Sequence, residues 1–555
     1  MKRKKVTAVL TAAVMGVTAG CTGVWAADSY QETEKAILTE SMKSFAAVYG
    51  KDLEEQEAAF EGSEGVLSLK LSDSGRVLLG NAAQIDASWL KGADIKVKVS
   101  MKDNTVGETM DICLNDQKIC SIEYYMDTET TDIYMKIPEV SDSYIKMNME
   151  EAAEIAEEEA RKAAEESASE EGISEYSYDS SYGNDSLEQA QNMLNVMDTV
   201  MNITEYLPDA KAMEELLTTY LSILVDNAKE GTTGTDTVTV GDISQECTVY
   251  EGVLSEKEML QVMQDVLTEA RDDVNIKDIL LKWGETEEDP EEFYAAYQGA
   301  VDAILSSVEA QTEVNDDDSY FFSKLWVDEN GKAVGRQLGL HHEEGNIDPL
   351  ITYQMPEDGE KFAMKLEISS EDGGFAISGG GEIKDSLLNG DYTVAVNGTD
   401  SVQIQVTDYD TESMKEGNLN ASYAFSLLPG MIDEESFALL SGYDITADIK
   451  SEGTSGDIIL NLLSQDVSLG ELSLTANIGD GVEIPDFSGL ENVCDMLDEQ
   501  EAESYTASVK LDTIMDNLSA AGMPEELLGM VTGDVSAAEA DLSELTEAET
   551  EDGSQ

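Results

Sequence analysis

The sequence predicts an α+β protein in which antiparallel β-sheet dominates. Short runs alternate apolar and polar residues, as in Leu67-Ser-Leu69-Lys-Leu71, and polar turns such as Asn330-Gly331 separate them. Segments with apolar residues at helical spacing lie between the groups of strands. Short period-two strands joined by turns are typical of an antiparallel meander with one apolar and one polar face.

The composition excludes several classes of function. The 555 residues include 33 Lys and Arg against 116 Asp and Glu, which gives a formal net charge of −83. A surface this acidic repels phosphate backbones, so nucleic acid is excluded as a partner. The chain has two histidines, His341 and His342, and lacks a serine elbow, a glycine-rich phosphate loop and zinc-ligand spacing. We therefore expect no enzyme activity, no metal and no cofactor.

The N-terminus has the pattern of a signal peptide over residues 1–26. Four basic residues at 2–5 precede a stretch without charge that ends at Asp28. Two processing sites compete. The sequence 18–21 resembles a lipobox whose cysteine, Cys21, would be acylated as a membrane anchor, and 24–26 resembles an ordinary signal-peptidase site. An uncleaved anchor is the third alternative. Each of them predicts an extracytoplasmic protein, either a lipoprotein on the outer face of the cell membrane or a secreted one.

Residues 27–149 predict a helix followed by a β-meander. Apolar residues at helical spacing predict the helix over 30–49, and alternating strands begin at Val66. The sequence Asp73-Ser-Gly75 indicates a turn that leads into a strand at 77–79.

Four cysteines follow Cys21, and two of them are close in sequence. A hairpin that turns at Asp116-Gln117 would place Cys113 directly opposite Cys120. We predict a cross-strand disulfide between these two residues, although strained cross-strand geometry and an unknown redox compartment leave two free thiols as the alternative.

The rest of the chain divides by composition. Ser255-Glu-Lys-Glu258 forms a capping box that opens one helix, and Pro290 suits the first turn of another. The segments that we predict are an acidic insert and linker (150–186), a helical layer (187–312) with strands at 237–250, a large antiparallel β region (320–480), a C-terminal helix (481–535) and an acidic disordered tail (536–555).

Methionines offer the one indication of a ligand. Met193, Met197 and Met201 recur at helical spacing, and Met213 lies on the next predicted helix. Because methionine fills irregular space, these side chains would suit an adaptable lipid groove. The alternative is that they pack against the sheet without a ligand.

Some phrases of the sequence resemble a known family. They are Asp86-Ala-Ser-Trp-Leu90, 134–139 with 143–147, and 248–257. On these phrases and the order of elements, the chain resembles uncharacterised secreted proteins and lipoproteins of Gram-positive bacteria and the lipoprotein-carrier half-barrels of the LolA and LppX type. The resemblance implies a curved antiparallel half-barrel with helices on its concave face, which holds an acyl chain. Helix plus meander occurs twice, so two related halves are an open alternative.

We therefore expect a non-catalytic protein of the cell envelope that binds or carries a hydrophobic molecule or lipid. The alternative is an acidic cell-surface protein that contacts the wall, cations or a protein partner and has no ligand pocket.

Overall fold

The computed structural model describes residues 29–102, 104–153, 155, 158, 161–162, 207–283, 290–310, 320–341, 347–370, 373–429, 442–479, 481–490 and 492–531. The predicted signal peptide with Cys21, most of the acidic insert and linker, and the acidic tail lie outside these residues.

Ten α-helices lie wholly within the described part of the chain. They are α1 (Tyr30–Glu61), α2 (Asp73–Ala83), α3 (Ala210–Asn227), α4 (Glu256–Asp272), α5 (Val274–Trp283), α6 (Pro290–Glu309), α7 (Thr411–Lys415), α8 (Glu499–Ser508), α9 (Asp512–Ala520) and α10 (Glu525–Val531).

The same residues contain 22 strands, and all but one of the pairings between them described below are antiparallel. The strands are β1 (Ser63–Leu71), β2 (Gly92–Lys102), β3 (Thr105–Leu114), β4 (Gln117–Asp127), β5 (Asp132–Lys136), β6 (Tyr144–Asn148), β7 (Lys229–Glu230), β8 (Gly234–Val240), β9 (Ile243–Ser255), β10 (Tyr320–Val327), β11 (Ala333–His341), β12 (Ile347–Gln354), β13 (Glu357–Asp358), β14 (Lys361–Ser370), β15 (Gly373–Lys384), β16 (Leu387–Val396), β17 (Thr399–Asp410), β18 (Ala421–Leu427), β19 (Tyr443–Glu452), β20 (Ser455–Ser464), β21 (Val467–Ile478) and β22 (Val493–Asp495). The predicted α+β class with a large antiparallel sheet is confirmed.

The chain forms two compact units. The larger unit comprises residues 1–54 and 203–452, and the smaller unit comprises 55–202 and 453–555. In the larger unit the strand order is β8–β9–β10–β11–β12–β14–β15–β16–β17–β18–β19, with β7 beside β9 and β13 beside β14. This order is a meander, as the period-two pattern predicts.

One face of the larger unit is covered by helices. Ile37 and Met42 of α1 and Val225 of α3 pack on Leu254 and Leu325 of the sheet. The capping box predicted at the start of α4 forms, since the Ser255 backbone N–H donates to Glu258 Oε2 at 3.1 Å. A second core lies on the other face of the sheet, where its members are Val238, Cys247, Val249, Trp326 and Val334.

The smaller unit has the strand order β20–β21–β1–β2–β3–β4–β5–β6–β22. Every neighbouring pair is antiparallel except β6 and β22, which are parallel. Helices α9 and α10 pack against the turn end of the β3–β4 hairpin, where Leu518 contacts Ile119. On one end of the sheet, Phe487 stacks on the Tyr134 ring at 4.2 Å between centroids.

Three local predictions differ from the structure. The sequence at 77–79 belongs to α2 and is not a strand, because Ser72 caps a helix there and accepts a hydrogen bond from the Gly75 N–H. In place of the one C-terminal helix predicted over 481–535, the structure has β22 and three short helices, α8, α9 and α10, and Pro524 lies between the last two. Helix α5 has no counterpart among the predicted elements.

The register of the cysteine hairpin is also different. Its two-residue turn is Asn115-Asp116, and both residues adopt positive φ, which Asn and Asp tolerate. This turn, with a bulge beside Ile112, places Lys118 opposite Cys113 and Ile112 opposite Cys120. The predicted direct pairing of the cysteines is therefore wrong. Both thiols are free in the structure, and the disulfide itself stays a prediction.

Candidate functional site

One face of the smaller unit's sheet is almost entirely apolar. Register places Leu67 of β1 between Ile95 of β2 and Leu474 of β21, and Ile112 and Ile458 continue the same row. Alternate residues of each strand share this face because side chains on a strand point to opposite sides in turn. We call it the apolar face. Its larger members are Leu67, Leu69, Ile95, Val97, Val99, Met110, Ile112, Ile122, Tyr124, Met135, Ile145, Ile458, Leu460, Leu462, Leu472 and Leu474.

The apolar face is accessible to solvent on β20, β21 and β1, where Ile458 is 38%, Leu474 44% and Leu67 41% exposed. Its members on β2, β3 and β4 are half-buried. With strands about 4.8 Å apart, the row from β20 to β4 spans about 24 Å. Monomeric soluble proteins rarely expose a contiguous apolar area of this kind without a binding role. The apolar face is therefore the candidate site.

The opposite face of the same sheet is polar over β21, β1 and β2, where cross-strand ion pairs neutralise its charges. Lys70 Nζ lies 2.7 Å from Glu471 Oε1 and Lys98 Nζ lies 3.4 Å from Glu64 Oε2. Further along, Lys118 pairs with Asp111 at 2.9 Å. This part of the face suits contact with water, whereas over β4 and β5 the same face is buried, with Tyr125 and Tyr134 packed on Phe487. Beside the ion pairs, the residues that a two-layer fold would normally bury are those of the apolar face.

A single charged residue interrupts the apolar face. Glu108 lies on β3 directly opposite Tyr124 of β4, and it is half-buried. Burial raises the pKa of the Tyr124 phenol, and the Glu108 carboxylate raises it further. The Tyr124 hydroxyl points along its own strand toward Met126 Sδ, 3.8 Å away. Among the described residues, Glu108 has no hydrogen-bonded or ionic partner for its carboxylate.

In the larger unit, by contrast, the charged residue on the helix-covered face is paired with a counter-ion. Arg336 of β11 lies on the face that α1 covers, and both of its Nη atoms donate to the carboxylate of Glu34 on α1, at 2.6 and 2.9 Å. The two side chains are 5% and 3% exposed. Burial raises the pKa of the neighbouring Tyr30 phenol, as does the Glu34 carboxylate. Helix α1 thus brings its own counter-charge to the sheet.

A small cavity lies beside this ion pair. It has a volume of about 40 Å³ and is lined by residues of α1, α3 and the sheet, Leu38, Leu221 and Phe321 among them. A water molecule needs roughly 10–15 Å³ on the same measure, so the cavity has room for about three. Sites for organic ligands are commonly several hundred Å³. This cavity is therefore too small for an organic ligand and is a poorer candidate than the apolar face.

The structure describes one of the four methionines predicted to line a groove. Met213 is half-buried in the first turn of α3, one helical repeat before Leu217, which packs against the core. Met193, Met197 and Met201 lie outside the described residues, so the methionine groove stays a prediction.

Sequence reasoning missed Glu108 and the Glu34–Arg336 pair. Glu108 was detectable in principle, because it occupies an apolar position in the alternation Val106, Met110, Ile112. The ion pair gave no local signal, since 302 positions separate its two residues.

Among the described residues, no group of three or more His, Cys, Asp or Glu side chains is arranged to hold a metal ion. Within the same part of the chain, every helix is too short or too polar to cross a membrane. Comparison of the chain with protein-family models, with curated proteins and with solved structures gave no match.

Proposed function

We propose that this protein binds a hydrophobic molecule, such as the acyl chain of a lipid, at the cell envelope without catalysing a reaction. The observation that carries the proposal is the apolar face, whose Leu67, Leu474 and Ile458 are exposed on the adjacent strands β1, β21 and β20. The signal-peptide pattern and Cys21 support a place outside the cytoplasm and attachment to the membrane. The resemblance to lipoprotein carriers supports the half-barrel shape, which is part of the proposal.

The dimensions of the apolar face suit a single acyl chain. One leaflet of a bilayer contributes about 15 Å of hydrocarbon, half of the roughly 30 Å core, and the row from β20 to β4 is longer than that. Each methylene removed from water contributes about 0.8 kcal/mol. Association and ordering costs of several kcal/mol offset part of this gain. A chain of ordinary length therefore binds with useful affinity on contact with this surface.

The test is native mass spectrometry of the processed protein, which begins at Cys21 if that residue is acylated and otherwise at Ala27, purified from the bacterial cell envelope. We expect an adduct with the mass of one lipid, which is lost on denaturation. A mass without adduct, unchanged after incubation with envelope lipids, would overturn the proposal and leave the acidic surface-interaction protein as the explanation.

A pair of variants locates the site. Leu474→Asp places a charge on the apolar face and is expected to abolish the adduct, since a desolvated carboxylate opposes burial. Ser473→Asp adds the same charge at the next residue, which points to the polar face, and is expected to retain the adduct. Retention of the adduct in both variants would show that the ligand lies elsewhere, and equal loss in both would attribute the effect to the added charge instead of the apolar face.

A further inference from the structure

Among the described residues, Glu108 is the one charged side chain on the apolar face. A ligand that covers this face removes water from a half-buried carboxylate, which is unfavourable unless a cation or a hydrogen-bond donor replaces that water. The larger unit meets the same requirement at Arg336, where the covering helix supplies Glu34. What covers the apolar face therefore has to supply a positive group beside Glu108.

The chain itself offers few cations for this purpose. Lys98, on the neighbouring strand β2, points to the polar face and pairs with Glu64. Residues 163–206, which include the methionines at helical spacing, contain neither Lys nor Arg, and no Lys or Arg follows Lys510. The missing counter-charge is thus best supplied by the ligand.

The neighbour of Glu108 fits an ammonium group. Tyr124 is its direct cross-strand partner, and opposed side chains in an antiparallel pair have Cβ atoms about 5 Å apart. An aromatic ring beside a carboxylate attracts an ammonium through both its quadrupole and the adjacent charge. Whole-molecule electrostatics act in the same direction, since a net charge of −83 repels anionic amphiphiles and attracts cationic ones.

We propose that the apolar face binds an amphiphile with a cationic ammonium head group, whose chain lies across the leucines and isoleucines and whose nitrogen pairs with Glu108 beside Tyr124. The inference rests on the proposed function and adds the chemical class of the head group.

The experiment compares dodecylamine, dodecanol and dodecanoate, which share one chain and differ in head-group charge. Binding to the full mature chain is measured by isothermal titration at about 0.15 M salt, where exposed charges more than roughly 8 Å apart are largely screened. We expect one dodecylamine per chain, bound at least tenfold more tightly than dodecanol, with dodecanoate weakest.

The variants separate the contribution of Glu108 to binding from that of the protein's overall negative charge. Glu108→Gln is expected to reduce dodecylamine affinity about tenfold, which is about 1.4 kcal/mol, and to leave dodecanol unchanged or tighter. Tyr124→Leu keeps the face apolar without the ring and is expected to reduce the affinity for dodecylamine about threefold. The matched control, Glu64→Gln, removes the same charge from the polar face and should leave both ligands unaffected.

The outcomes distinguish the two proposals. Binding of all three ligands with similar affinity, unaffected by Glu108→Gln, would overturn the ammonium assignment and leave hydrophobic binding intact. Equal weakening of dodecylamine binding by Glu108→Gln and Glu64→Gln would show that the preference for the ammonium reflects net charge alone, and would also overturn the ammonium assignment. No binding of any ligand would contradict the proposed function itself.

Discussion

Replacing Glu34 of helix α1 by leucine will destabilise the larger unit because it leaves the Arg336 guanidinium buried without its counter-ion. The two side chains are 3% and 5% exposed and share two hydrogen bonds. Breaking a buried ion pair by removing one partner costs about 3–5 kcal/mol. Arg336→Met leaves the carboxylate buried instead and is expected to cost about the same.

The double variant distinguishes this explanation from loss of packing. Glu34→Leu with Arg336→Met removes both charges and keeps side chains of similar size, and such replacements are often neutral or stabilising. We therefore expect the double variant to lose less free energy of unfolding than either single variant, with a coupling energy of at least about 3 kcal/mol. The exposed pair on the same helix provides the control, since Lys35→Met breaks the contact with Asp226 and should cost under about 1 kcal/mol.

The assay is urea unfolding of the mature chain followed by tryptophan fluorescence. Trp326 is 4% exposed in the larger unit, and Trp89→Phe removes the one tryptophan that the sequence places in the smaller unit. In that background the signal reports the larger unit. Additivity of the two single variants within about 0.5 kcal/mol would refute the reasoning, because independent sites add to this accuracy.

Two further predictions concern the same unit. A hydrogen bond from Trp326 Nε1 at 3.0 Å lowers the pKa of the Asp236 carboxyl. The stabilisation of the fold by this ionised carboxylate is present above the unfolded pKa of about 3.9 and is lost as pH falls through the folded pKa. Asp236→Asn should therefore lower the free energy of unfolding by under about 1 kcal/mol at neutral pH and leave it unchanged at acid pH. The measurement is a series of urea midpoints against pH, and a difference between variant and wild type that stays constant with pH would contradict the prediction. A Cβ on Gly252 would lie 2.1 Å from the Tyr30 ring, so Gly252→Ala should cost about 1–3 kcal/mol by overpacking in the same urea assay. Gly299→Ala, which meets nothing within 4 Å in α6, should stabilise by roughly 0.5–1 kcal/mol, and equal effects at the two glycines would refute the packing argument.

Strands and most helices were predictable because their patterns are local. Alternation along β2 identifies the strand and its two faces, and the capping box at Ser255 identifies the start of α4. Where the same residues permit two local structures, the sequence alone does not show which hydrogen bond forms. Asp73-Ser-Gly75 suits a turn as well as a first helical turn, and the hydrogen bond that the Gly75 N–H donates to the Ser72 hydroxyl selects the helix.

The candidate site was only partly predictable from the sequence. Apolar alternation in β1 and in β21 indicated that each strand has one apolar face. Their pairing was not predictable, since Lys70 and Glu471 meet across 401 positions. Neither strand shows alone that the leucines of both form one continuous surface, or that the face remains accessible to solvent.

The sequence by itself determined the composition, the α+β class, the period-two strands and the patterns that indicate secretion, because each depends on residues close together in the chain. Only the tertiary structure decided which charges meet. Glu34 reaches Arg336 because α1 covers that part of the sheet, whereas Glu108 lies on a face to which the described chain brings no cation. Burial and ion pairing depend on what distant segments bring to a surface, and local sequence patterns hold no information about such encounters.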